Sequence, residues 1–209
     1  MENAQETSKI IHDWLNETDI YLIDQILKNR FHPTMKILDA GCGEGRNLTY
    51  FLHNKYNVYG VDSSEAAISA IRKRAQRINP QLSQDNFHIS NIEKMLYEDA
   101  DFDVVISSAV LHFARDTAHL KEMINEMWRV LKIGGIFFCR LASTIGIEKR
   151  IQQLQERTYI LPDGTKRFLV DETLLLQITH KLGAKFLEPI KTVNVQNSRC
   201  MTTWVLQKQ

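Results

Sequence analysis

The chain has 209 residues, 44% of them hydrophobic, enough to bury one core without disulfide or metal staples, so a single domain over 1–209 is expected. With 26 basic against 25 acidic residues and a formal net charge of +1, it has no global field to recruit nucleic acid or an anionic membrane. Cys42, Cys139 and Cys200 fall in no metal-ligand spacing, the seven histidines form no metal pair and no apolar run nears the ~20 residues that span a bilayer, which predicts reduced thiols in a cytoplasm and neither metal nor membrane.

In chain order, residues 7–31 come first and carry Ile10, Ile11, Trp14, Leu15, Tyr21, Leu22, Ile23, Ile26 and Leu27. That apolar set is too wide for a free helix and suits a helical lid over 1–33. Next, Lys36-Ile-Leu-Asp-Ala-Gly-Cys-Gly-Glu-Gly-Arg46 reads as a buried strand entering a glycine-rich turn that opens a helix to about Asn54. Gly41, Gly43 and Gly45 allow backbone angles and close ligand approach that a Cβ would obstruct. Asn57-Val-Tyr-Gly-Val-Asp62 is a second strand ending in an acid. Ser63 or Ser64 can cap the helix that follows, leaving Asp62 to accept hydrogen bonds from a ribose. The basic cluster Arg72-Lys-Arg74 with Arg77 lies on that helix and is read as a solvated face.

Phe87-His-Ile-Ser90 supplies a short third strand, and Phe102–Ser108 a fourth. Further on, Asp171 to Leu182 has the periodicity of a helix, stopped by Gly183. Ala184–Ile190 and Met201–Leu206 read as two closing strands, with Asn194–Arg199 as their turn. The alternation of strands and helices through residue 141 predicts a parallel sheet.

Four ordered blocks resemble the class I S-adenosylmethionine-dependent methyltransferases: Ile37–Gly45, Val58–Asp62, Phe102–Phe113 and Glu126–Phe137. The resemblance implies an α/β, Rossmann-like doubly wound seven-stranded sheet of order 3-2-1-4-5-7-6 with strand 7 antiparallel. It also implies S-adenosyl-L-methionine as cofactor and S-adenosyl-L-homocysteine as product. The cofactor set it points to is Asp39, Gly41, Cys42, Gly43, Arg46, Asp62, Ser63, Asn91, Ile92 and Ser107. Within it, Asp39 and the backbone of Gly41 and Gly43 would hold the amino-acid part and Asp62 the ribose. Asn91 stands where the family often has an Asp facing adenine; an Asn there serves equally to cap the turn before Glu93.

His112 follows strand four and is the candidate general base, with the wall of a pocket as its other reading. Trp14, Phe113, Arg140 and Tyr159 are the candidates for contacting the methyl acceptor. Residues 142–170 form a substrate-side insertion in which Leu161-Pro-Asp-Gly164 reads as a hairpin turn projecting basic groups such as Arg150 and Arg157. Val110-Leu-His-Phe113 is similar to the small-molecule branch of the family, including its quinone-biosynthesis type, and Gly45-Arg-Asn47 to its tellurite-resistance and thiopurine type. The expected partner is thus a small-molecule acceptor, with the protein a monomer or homodimer. A sensor that binds the cofactor without turnover, or a nicotinamide-dependent oxidoreductase, would share the glycine turn and Asp62, although the latter's usual G-x-G-x-x-G differs from Gly41-Cys-Gly-Glu-Gly45.

Overall fold

A computed structural model describes residues 2–15 and 17–209, with side chains from residue 9 onward. Residues 1 and 16, which belong to the expected N-terminal lid, lie outside the described residues. The chain divides into two compact units, 1–91 and 92–209.

In the first unit, α1 (Glu2–Leu15) and α2 (Ile20–Leu27) precede β1 (Lys36–Ala40). Asp19 caps α2 by accepting from the Tyr21 N–H. A 3₁₀ turn (Arg46–Leu48) and the short α3 (Thr49–His53) follow the glycine turn, in place of the single helix expected there. Then come β2 (Asn57–Asp62), α4 (Glu65–Ile78) and β3 (Phe87–Ile89). The strand order is β3-β2-β1, all parallel, with Ile37 opposite Val58 and Ala40 opposite Val61. Ile37, Leu38 and Val58 are fully buried, as strands covered on both faces require.

Two arginines expected on a solvated face fasten the first unit instead. Arg72 donates to the carbonyls of Gln84 and Phe87, and Arg74 to Glu17 Oε2 and Thr49 Oγ1. Each planar head thus serves two acceptors at once, a task suited to guanidinium.

The second unit contains β4 (Phe102–Ser108), α5 (Thr117–Val130), β5 (Leu131–Ser143), β6 (Gln152–Gln155), β7 (Thr158–Ile160), β8 (Lys166–Phe168), α6 (Glu172–Lys181), β9 (Lys185–Phe186), β10 (Lys191–Val195) and β11 (Arg199–Gln207). Its main sheet runs β4-β5-β11-β10, with β11 antiparallel to both neighbours and β9 pairing its end. With β10 and β11 as the sixth and seventh strands of the family's count, the two units carry 3-2-1 and 4-5-7-6, and the antiparallel closing strand is present. Ala184–Ile190 is not one strand, however. Only Lys185 and Phe186 pair there, and the partner of β11 begins at Lys191, because Pro189 has no N–H to give a ladder.

Packing in this unit centres on Trp204, fully buried and edge-on to Phe137 with ring centroids 5.7 Å apart. Its indole N–H reaches Thr179 Oγ1 at 3.0 Å, and that hydroxyl donates to the Leu175 carbonyl at 2.8 Å. The one polar atom of a large apolar ring is thereby satisfied. Asp171 caps α6 through the Leu174 N–H, and Gly183, at φ +60°, ends it as expected. Among the described residues no helix is long and apolar enough to cross a membrane, and no group of His, Cys, Asp and Glu could hold a metal ion.

Candidate active site

The glycine turn is built on backbone angles that only its sequence tolerates. Gly43 has φ +51°, with open space where a side chain would stand. Gly45 has φ +81°, and a Cβ there would come within 1.9 Å of Ile71 Cδ1 on α4. The turn thus needs glycine at 45 for both angle and packing. Most of its amides are already engaged. Gly41 and Cys42 donate to the Val61 carbonyl, Gly43 to Asp62 Oδ2 and Gly45 to the Cys42 carbonyl.

Asp39 is the anomaly at this turn. It is 1% exposed, and neither carboxyl oxygen has a hydrogen-bond partner. Burial raises its pKa to about 7; the nearby Arg46 charge opposes that rise and Asp62 adds to it. A buried acid left so is costly unless a ligand supplies the partner.

Asp62 is less available than the sequence implied. Ser64 does cap α4, accepting from the Ala67 N–H, yet both oxygens of Asp62 accept backbone hydrogens, from Gly43 at 2.9 Å and Ser64 at 2.9 Å. One lone pair on each oxygen is left over. Ser63, next in the chain, is exposed. Cys42 is buried against Gly60, and burial pushes its thiol pKa well up, so it packs as an inert apolar group. Arg46 donates to the Glu17 carbonyl, while Thr18 Oγ1 donates to the Arg46 carbonyl and the Asp19 N–H to Asn47 Oδ1. Sequence reasoning missed this clasp between the α1–α2 turn and the glycine turn; the polar run Glu17-Thr18-Asp19 inside an apolar segment was its only signal.

Trp14 stacks on His53, with centroids 5.3 Å apart, and meets Tyr50 edge-on. Its indole therefore packs on α3. Asn91 is exposed and caps no turn before Glu93 among the described residues.

In the second unit, Ile92 is buried, and Ser107 is fully buried with its hydroxyl unpartnered. Just beyond β4, Ala109 takes φ +65°, a conformation that side chains avoid and that marks the strand's carboxyl end as strained. His112 follows in a 3₁₀ turn (Leu111–Phe113), 8% exposed, with Nδ1 lacking a partner. Burial lowers its pKa to about 4, helped by the charges of Arg167 and Arg199. Phe113 is 60% exposed, and the Arg167 guanidinium lies 4.9 Å from its ring centroid.

Arg140 is half-buried within β5, opposite Thr203, and the strand runs on to Ser143. The Pro-Asp-Gly turn joins β7 to β8 in the expected hairpin, and Gly164 has φ +79°. Tyr159 on β7 stands opposite Arg167 on β8 and packs against a buried cluster that includes Ile147, Leu161 and Met201. Arg157, expected to project, donates instead to Asp171 Oδ2 at 2.8 Å.

A family model described as a methyltransferase domain matches residues 38–139. An uncharacterized methyltransferase of Bacillus subtilis, YodH, is 32% identical over 139 residues, 66% of this chain and 51% of its own length. An mRNA cap guanine-N(7) methyltransferase of Oryza sativa is 26% identical over 162 residues, 71% of this chain and 43% of its own. The chain thus spans about half the length, or less, of these curated relatives. In three dimensions, the 1,6-didemethyltoxoflavin-N1-methyltransferase of Burkholderia thailandensis, solved with bound 1,6-didemethyltoxoflavin and S-adenosylhomocysteine, matches with a TM-score of 0.68 at 18% identity. That match covers 100% of this chain and 89% of the other. The chain thus carries a methyltransferase domain over residues 38–139, and the strand orders of its two units and the glycine turn between β1 and α3 agree with the class I S-adenosylmethionine-dependent methyltransferase fold.

Proposed function

We propose that the chain transfers the methyl group of S-adenosylmethionine to a small-molecule acceptor. The observation that supports this reading most is Asp39, an acid buried at the glycine turn with neither oxygen partnered. An uncompensated acid favours a ligand that arrives with a positive charge, and the α-ammonium of S-adenosylmethionine is such a group. A pyrophosphate would be repelled by the same carboxylate, and it would find the amides of Gly41, Cys42 and Gly43 already engaged. Both facts argue against a nicotinamide dinucleotide.

The other residues divide the cofactor among them. The remaining lone pairs of Asp62 suit two ribose hydroxyls. Asn91, exposed and making no cap, is left to read adenine with its amide. Gly41, Cys42, Gly43, Arg46 and Ser63 shape the turn around the amino-acid and ribose portions, and Ile92 and Ser107 keep the roles that the family resemblance implies. Bound S-adenosylmethionine supplies a methyl carbon already activated by a sulfonium, so the protein's task is to hold the reactants in line and exclude water. On the acceptor side, Phe113, Arg140 and Tyr159 are the contacts we assign, and Trp14 supports α3. To His112, kept neutral by burial, we assign the proton that an O–H or N–H acceptor must lose.

An RNA acceptor, as in the rice relative's name, is not favoured. The net charge is +1, and Arg72 and Arg74 of the densest basic cluster are spent on internal carbonyls, a carboxylate and a hydroxyl.

Calorimetry tests the cofactor first. S-adenosylhomocysteine should bind and NAD should not; micromolar NAD binding with no response to S-adenosylhomocysteine would remove the reading. Incubating the protein with cell extract and isotopically labelled donor should then yield a labelled small molecule by mass spectrometry. Cofactor binding without any labelled product would favour the sensor reading.

A further inference from the structure

Two guanidiniums of the second unit lack a carboxylate to pair with. Arg167, on β8, covers the Phe113 ring at 4.9 Å and donates Nη1 only to the carbonyl of its neighbour Lys166. Arg199 opens β11 and is exposed. Among the described residues neither forms an ion pair. The acid whose field they share, Asp163, has its Oδ1 taken by the amide and hydroxyl of Thr165. The contrast with Arg157, in the turn between β6 and β7, is direct, because Arg157 is neutralised by Asp171.

Arg167 covers an otherwise apolar feature, and both charges act on its neighbour His112. The Phe113 ring is largely exposed, and Tyr159 stands directly opposite Arg167 in the β7–β8 register. Beside them lies His112, more than nine-tenths buried, with Nδ1 unpartnered. A guanidinium held over an aromatic ring by cation–π attraction keeps N–H donors for a ligand, and its fork can grip a carboxylate with two parallel hydrogen bonds. An orphaned imidazole nitrogen nearby needs a polar group of the same ligand.

We propose that this cluster is the acceptor's recognition site, and that the acceptor is a small planar molecule bearing a carboxylate, which Arg167 binds with help from Arg199 while the ligand's second polar group meets His112. This rests on the methyltransferase reading for the name "acceptor", although the site itself does not. The arrangement also has a chemical consequence. A carboxylate that neutralises Arg167 and Arg199 removes two charges that depress the basicity of His112, so binding the anion makes His112 a better proton acceptor.

The full chain saturated with S-adenosylhomocysteine, titrated with benzoate and with its neutral isostere benzamide, provides the test. Benzoate should bind at least tenfold more tightly, shifting the NMR signals of Arg167 Nε and the His112 ring and raising the His112 titration midpoint. Arg167→Gln should abolish the preference, and Arg167→Lys should keep part of it, because charge survives without the planar fork. Affinity for S-adenosylhomocysteine should stay unchanged in both variants. Equal binding of benzoate and benzamide, absence of binding by either, or a preference that survives Arg167→Gln would each overturn the inference. Should Arg167→Gln not fold, Arg199→Gln and the wild-type ratio decide the matter. Failure of S-adenosylhomocysteine to bind removes the proposed function instead, and is read in the same titration.

Discussion

Asp39 in the first unit and His112 in the second are each buried near the carboxyl end of a strand, and the two have opposite needs. Asp39, near the end of β1, is an acid with another acid, Asp62, in its field; burial lifts its pKa to about 7. His112, beyond β4, is a base with two arginines in its field; burial drops its pKa to about 4. Both are neutral around pH 6 for the same reason, the cost of a charge away from water. What each lacks differs. On the two proposals above, the first site calls for a cation and the second for an anion, and each expectation comes from the surroundings of one buried group.

Asp39→Asn is the substitution that should break this comparison most severely. It keeps the shape and removes the charge, and the loss for S-adenosylhomocysteine should be about 2–5 kcal/mol, the scale of truncating one partner of a buried charge pair. Wild-type affinity should also rise with pH through about 7, because the ligand's ammonium binds the ionised carboxyl and a proton must leave. Calorimetry at pH 6 and pH 8 reads both effects. An Asn variant with unchanged affinity and an unchanged pH response would mean that the ammonium sits elsewhere.

Without ligand, the same two groups should tilt stability in opposite directions across one pH window. Asp39 has its folded pKa raised from 3.8 to about 7, so its contribution is fully present below about pH 4 and is lost as pH rises through 7. For His112 the folded pKa is lowered from 6.5 to about 4. Its contribution is present above pH 6.5 and is lost as pH falls through 4. Relative to wild type, Asp39→Asn should therefore gain stability as pH rises from 4 to 7, and His112→Gln should gain it as pH falls over the same range. Each difference should reach a few kcal/mol at most, with slopes no steeper than about 1.4 kcal/mol per pH unit. Urea unfolding at pH 4.5, 5.5 and 6.5 measures them. Parallel rather than opposed slopes would show that burial is not the dominant cause in one of the two.

The two regions also differ in how much their sequences disclose. Asp39, Gly43, Gly45 and Asp62 lie within 24 positions of one another, and each acts through backbone angles or strand ends, which are local properties. The turn, both strands and the carboxylate were therefore legible. So was the Pro-Asp-Gly hairpin, since its turn chemistry is contained in three residues. The pairing of Phe113 with Arg167 spans 54 positions, and nothing in either residue's neighbours announces the other. The same holds for Trp14 on His53 and for Arg157 on Asp171. The closing strands went astray for a different reason. Ala184–Ile190 has the composition of a strand, but a ladder needs N–H groups, and Pro189 interrupts it after the two residues that pair.

The smallest expected effect is also the sharpest control on the second site. Arg157, in the turn between β6 and β7, and Arg167, on β8 of the same sheet, carry the same charge, yet Arg157 spends its guanidinium on Asp171 at 2.8 Å, whereas among the described residues Arg167 forms no ion pair. If charge alone drew the anion, removing either should weaken benzoate binding by a similar factor. If an unspent guanidinium is required, Arg157→Gln should leave the benzoate preference intact and cost only the ion pair. That pair is partly open to water, with side-chain exposures of 26% and 38%, so its loss should be worth about 0.5–1 kcal/mol of folding stability after screening. Asp171 would still cap α6 through the Leu174 N–H, which keeps the fold and makes the comparison with Arg167→Gln a fair one. A matching fall in benzoate affinity for both variants would reduce the site to a diffuse positive field.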